Sequence, residues 1–85
     1  MTVAGNATGA ELGKLRWRCR RGLRELDELL TNYLDARYPG ASSAERAAFA
    51  LLLDAQDADI HAWCLGLSQP PDRAMRELIG RITTR

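Results

Sequence analysis

Cysteine, aromatic and β-branched residues are all scarce in this 85-residue chain. Its two cysteines, Cys19 and Cys64, are too few for the disulfide framework of a small secreted scaffold. One Val and 3 Ile stand against 13 Leu and 13 Ala, a balance that disfavours strands and favours helices. No apolar run approaches the roughly 20 residues needed to span a bilayer. Met1 to Glu11 has neither the basic start nor the apolar stretch of a signal peptide. Twelve basic and 11 acidic side chains leave a net charge of +1, which excludes a bulk polycation. A chain this short buries only about 60–65% of the surface it exposes when unfolded, which argues against a cavity enclosing a large cofactor. The expectation is one soluble, cytoplasmic, reduced all-α domain: a flexible leader over residues 1–9, then a helical domain over 10–85.

From Ala10 onward apolar residues recur with a helical period. A first helix, about Ala10 to Arg20, places Leu12, Leu15 and Cys19 on one stripe and Trp17 nearly opposite. After Gly22, a second stripe runs through Leu23, Leu26, Leu29, Leu30, Tyr33 and Leu34. Tyr38-Pro39-Gly40 stops it, because proline disfavours helix at the residue before it and glycine tolerates left-handed turns. Ser42 and Glu45 form a capping-box pattern that opens a third helix. Residues 47–53 are apolar nearly all round, the mark of a central helix buried on several sides. Asp57 is the expected cap of a fourth helix carrying Ile60, Trp63, Cys64 and Leu67, which Gly66 or Ser68 ends. Pro70-Pro71-Asp72 starts a fifth, with Met75, Leu78, Ile79 and Ile82 on one face. Five short helices make a small bundle, with no repeat and no low-complexity tract.

Charge is segregated along this bundle. Lys14, Arg16, Arg18, Arg20, Arg21 and Arg24 fall within eleven residues without an acid, whereas Ala47 to Asp72 holds Asp54, Asp57, Asp59 and Asp72 without a Lys or Arg. The arginines either pair with acids of the second and fourth helices or form a docking surface for an acidic partner. Gly22 interrupts the basic run at a cost of about 1 kcal/mol relative to alanine inside a helix. It is a turn residue, a close helix crossing, or a place where backbone is left uncovered for a partner between Arg21 and Glu25. Arg21 and Glu25 are also spaced to pair on one helix turn. Trp17 is either core or, exposed among arginines, an interface anchor. Asp57, His61 and Cys64 resemble a metal corner, but zinc wants about four ligands and Cys64 falls on the apolar stripe, so no metal is expected. Catalytic triads, glycine-rich phosphate loops and paired catalytic carboxylates are missing, which argues against an enzyme.

Two segments, Trp17-Arg18-Cys19-Arg20-Arg21-Gly22-Leu23-Arg24-Glu25-Leu26-Asp27 and Asp57-Ala58-Asp59-Ile60-His61-Ala62-Trp63, with Phe49, Leu52 and Leu53 between them, resemble the SdhE family. That family comprises the small flavinylation factors for succinate dehydrogenase, with mitochondrial relatives. The resemblance spans roughly residues 12 to 83. Its motifs are the R-G-x-x-E box, here Arg21, Gly22 and Glu25, and the D-x-D-x-x-x-W segment, each weak alone and specific together. It implies a five-helix bundle that acts as an assembly chaperone. Such a chaperone binds the flavoprotein subunit of succinate dehydrogenase, and often of fumarate reductase, and promotes covalent attachment of FAD to a histidine of that subunit. It further implies that Arg21, Gly22 and Glu25 form the partner-binding surface, with Trp17, Arg20 and Asp27 as extensions, and that no cofactor is held stably by this chain.

Two rival readings predict different partners. An antitoxin role, the CptB label once used for this family, predicts rescue from a co-encoded membrane toxin. A nucleic-acid-binding module would use the basic first helix and bind with strong salt dependence, against which the acidic second half argues. A monomer or weak dimer, with no nucleic acid and no membrane insertion, fits an adaptor. The sequence leaves open whether this chain contacts FAD and whether fumarate reductase is a second client.

Overall fold

The computed structural model describes residues 9–84, so residues 1–8 of the expected leader lie outside the described residues. Five α-helices follow one another: α1 (Gly9–Arg18), α2 (Arg24–Ala36), α3 (Ser43–Leu53), α4 (Asp57–Cys64) and α5 (Arg73–Thr83), with a short 3₁₀ turn at Tyr38–Gly40. The described residues contain no strand, and the all-α expectation holds.

The helix ends follow from local chemistry. Ser42 accepts the Glu45 N–H at 3.1 Å and so caps α3. The reciprocal half of the expected box is not made, because the Glu45 carboxylate turns to the Tyr33 hydroxyl and to Arg81. Asp72 caps α5 by accepting the Ala74 N–H at 3.1 Å. The expected cap on α4 is corrected: Gln56 holds that position without a side-chain bond, and Asp57 is the first helical residue. Gly66 ends α4 as anticipated. Its φ of +77° lies in the left-handed region, and the Gly66 and Leu67 amides bond back to Trp63 and Ala62 at 3.2 and 2.9 Å, a Schellman turn. Pro39 stops α2, whereas Gly40 does not adopt a positive φ.

Phe49 of α3 lies at the centre of the core, fully buried, with the Tyr33 and Tyr38 rings 4.9 and 5.6 Å from its own. Leu26, Leu30, Leu34, Leu52, Ile60 and Leu78 enclose it, and Cys19 closes the end nearest α1. Helix α5 is the hub, touching α2, α3 and α4, while α1 lies against α2. The expectation that α3 is buried on several sides is corrected by Leu51, which is 54% exposed. A bundle this small has too few helices to surround one of its own members. Leu23, expected on the buried stripe of α2, instead precedes the helix as its N-cap and is 39% exposed.

Candidate functional site: an open glycine turn between α1 and α2

Residues 19–23 carry the chain from α1 into α2, and Gly22 makes the turn possible. Its φ of +88° lies where L-residues with a Cβ are strained. A Cβ placed on Gly22 would meet nothing within 4 Å, so the backbone here is open to the outside. The glycine therefore answers a conformational need and not a close helix crossing.

Trp17 projects from the last turns of α1 with 72% of its surface exposed. The Arg20 guanidinium lies over the indole, 5.9 Å from the ring centroid, a cation–π arrangement on the surface. Leu23 and Glu25 are exposed beside them, and the Glu25 side chain makes no hydrogen bond or ion pair among the described residues. A shallow groove of about 550 Å³ runs from this turn along α2, lined by Arg20, Gly22, Asp27, Glu28, Thr31 and Asn32.

Arg21 behaves differently from its neighbours. Its side chain is only 14% exposed and points into the bundle. Nε donates to Asp57 Oδ1 at 2.5 Å, one terminal nitrogen donates to the Leu53 carbonyl at 2.7 Å, and the other donates to the Ala55 carbonyl at 2.5 Å. Those carbonyls sit at and just beyond the end of α3, where helical geometry leaves oxygens without intrahelical partners. The Arg21 backbone N–H donates to Asp27 Oδ1 at 2.7 Å. The helical Arg21–Glu25 pair weighed above is therefore not made, because the positive-φ Gly22 puts Arg21 outside α2. Among the sequence-predicted residues, the structure places Trp17, Arg20, Gly22 and Glu25 on the outer surface of one turn. Arg21 and Asp27 support that turn from within.

The basic run is largely neutralised within the chain. Arg16 forks onto Asp35, Arg18 pairs with Asp54, Arg21 with Asp57, and Arg24 with Glu28 at 3.6 Å along α2. The Arg16 hydrogen bond holds the Asp35 carboxyl below its ordinary pKa, and Asp35 in return raises that of Arg16. Four of the six basic residues between 14 and 24 are thus paired with acids, leaving Lys14 and Arg20 for outside contacts. Burial raises the Cys19 thiol to about 11 and also raises that of Cys64, so both are poor nucleophiles near neutrality. The Asp57 of the supposed metal corner is committed to Arg21.

Sequence reasoning did not find three parts of the site: Leu23 as an exposed apolar neighbour, the groove residues Thr31 and Asn32, and Asp57 as the acceptor of Arg21. Thr31 and Asn32 sit one turn beyond Asp27 and Glu28 respectively on the polar side of α2, a spacing that could have found them. Asp57 is 36 residues from Arg21, a separation that no local pattern reveals.

Fold and site together define a class: a small all-helical bundle whose prominent surface feature is a braced, open turn flanked by an exposed tryptophan. Its particular kinship follows from the sequence as a whole. The chain belongs to the Sdh5 family, the flavinator of succinate dehydrogenase, whose match covers residues 13–85. It is similar to the FAD assembly factor SdhE of Xylella fastidiosa (strain 9a5c), at 47% identity over 70 residues, covering 82% of this chain and 72% of that protein. The FAD assembly factor SdhE of Methylococcus capsulatus is 42% identical over 73 residues, covering 86% of this chain and 88% of the relative. That of Pseudomonas aeruginosa is 35% identical over 79 residues, covering 93% and 94%. The family resemblance read from the R-G-x-x-E and D-x-D-x-x-x-W segments is therefore established. No helix among the described residues is long and apolar enough to cross a membrane.

Proposed function

We propose that this chain is an assembly factor that docks on the flavoprotein subunit of succinate dehydrogenase and promotes covalent attachment of FAD to a histidine of that subunit. Fumarate reductase's flavoprotein is the second client to test. The observation that carries the docking surface is the Gly22 turn: a left-handed backbone with open space above it, flanked by exposed Trp17, Arg20, Leu23 and Glu25. A large, shallow partner surface can press against such a turn, with Trp17 as an apolar anchor and Arg20 and Glu25 supplying charges of both signs. The names of the relatives support the client and the reaction.

The mechanism is conformational. The chain binds the arrangement of the flavoprotein in which the partner's own histidine lies against the flavin, and so raises the population of that arrangement. A tenfold shift requires about 1.4 kcal/mol of differential affinity between the two arrangements, well within what one tryptophan anchor supplies. FAD remains the partner's cofactor, and the chain acts outside the bond-forming step, in the cytoplasm.

The test is the affinity of the purified full-length chain for the FAD-free flavoprotein subunit by titration calorimetry, with Gly22→Arg as the comparison. Saturable binding by the wild type, lost in a folded Gly22→Arg variant, supports the reading. Equal binding by both would remove the Gly22 turn from the interface.

A further inference from the structure

Asp57 is the first residue of α4 and lies 36 residues beyond Arg21 in sequence, yet its carboxylate is tied to the Gly22 turn through that arginine. We propose that Asp57 is a positioning residue for the Gly22 turn. It draws the Arg21 guanidinium inward so that the flavoprotein meets the Gly22 backbone with Trp17, Arg20, Leu23 and Glu25, and does not meet the Arg21 side chain. This inference rests on the Gly22 turn being the docking surface.

Four observations meet at Arg21. Its guanidinium spans Asp57, the Leu53 carbonyl and the Ala55 carbonyl, so it is held against both the end of α3 and the start of α4. A fourth contact, to the Arg18 carbonyl at 3.4 Å, ties it to the end of α1. Its backbone N–H is held by Asp27, so the residue before Gly22 is fixed from the side chain and from the main chain at once. Immediately before the turn, Cys19 is fully buried. Helix α2, by contrast, has no side-chain cap, because Leu23 stands at its N-cap position. Among the described residues the left-handed turn is thus held locally by Asp27 alone, and its side-chain brace comes from the α3–α4 junction through Arg21.

Asp57 suits this task for two reasons. It is the first residue of α4, where the helix dipole favours an anion. Its partner is a forked cation whose three nitrogens each reach a different acceptor, the carboxylate and two carbonyls, a spread that the single nitrogen of a lysine does not match. Fixing the turn before the partner arrives removes an ordering cost from association, which is how a residue without partner contact raises affinity. The neighbouring Arg18–Asp54 pair ties the end of α1 to the end of α3, is far more exposed at 38% and 69%, and its ion pair includes no side chain of the turn. It provides the internal control.

The test uses the full-length chain with Asp57→Ala, Asp57→Asn, Arg21→Lys and Asp54→Ala. Hydrogen exchange of the free chain reads the turn directly, and calorimetry with the FAD-free flavoprotein subunit reads docking. The expectation is that Asp57→Ala and Arg21→Lys leave exchange in α5 unchanged but speed it by about tenfold or more at residues 21–24. Both should weaken flavoprotein binding by about tenfold. Asp57→Asn keeps an oxygen acceptor and should fall between them and the wild type, while Asp54→Ala should match the wild type in both readouts. Should Asp57→Ala fail to fold, the Asp57→Asn and Arg21→Lys results decide. Unchanged exchange at residues 21–24, or wild-type affinity in Asp57→Ala beside a Gly22→Arg that does not bind, would overturn the assignment. A wild-type chain that does not bind the flavoprotein at all would refute the docking reading instead, and the exchange data would still decide whether Asp57 holds the turn.

Discussion

Gly22 offers a separation of stability from docking that few surface residues allow. Its φ of +88° places any residue with a Cβ in the left-handed region, and a new Cβ meets nothing within 4 Å. The folded-state penalty for Gly22→Ala is therefore conformational alone, about 1–2 kcal/mol. Alanine's smaller unfolded-state entropy returns about 0.4–1 kcal/mol of that. The net loss is about 1 kcal/mol, against a total stability of about 4–13 kcal/mol for a domain of this length. Thermal unfolding followed by circular dichroism should show Tm falling by about 4–8 °C with helicity intact. Gly22→Arg has the same backbone penalty and open space for its side chain, so its Tm should lie close to that of Gly22→Ala. Calorimetric affinity for the flavoprotein should part the two variants, with alanine losing less than about tenfold and arginine about a hundredfold or more. A Gly22→Arg variant that unfolds where Gly22→Ala does not would refute the openness of the turn. Equal affinities would refute its place in the interface.

Trp17→Ala should leave Tm nearly unchanged, since the indole is 72% exposed, yet weaken flavoprotein binding by about 2 kcal/mol or more, readable in the same titration. Phe49→Ala removes the centre of the aromatic cluster and should destabilise by about 3–5 kcal/mol, measured by urea unfolding. At pH 8 a thiol reagent such as Ellman's should modify half-buried Cys64 before fully buried Cys19, whose labelling should track unfolding. Burial holds the folded Cys19 thiol protonated to about 11, against an ordinary value of 9.0 in the unfolded chain. The unfolded state therefore releases that proton first, stability falls as pH rises between those two values, and Cys19→Ala should lack that part of the decline.

The helices were legible because their signals are local. The Ser42 cap, the Asp72 cap after two prolines and the left-handed Gly66 are each decided within a few residues. The stripe of Met75, Leu78, Ile79 and Ile82 likewise required only its own period, and all but the half-buried Met75 are buried. Trp17 and Gly22 stood out in sequence because each breaks a local rule, an aromatic off the apolar stripe and a glycine in a helical context. What escaped notice depends on which element packs where. Leu51 looked as buried as Leu52 until α5, and not α3, took the hub position. Arg21 looked like a surface charge because its acceptors at Leu53, Ala55 and Asp57 lie 32 to 36 residues away. The R-G-x-x-E pattern thus marked the right turn while hiding that its arginine and its glutamate face opposite ways.

The most direct measurement is in-gel fluorescence of covalently bound flavin on the succinate dehydrogenase flavoprotein subunit. It compares cells lacking this gene with cells complemented by the wild type or by Gly22→Arg at matched protein levels. The account predicts a flavin band that dims on deletion, returns with the wild type and stays dim with Gly22→Arg. A band of equal brightness in all three strains would contradict it.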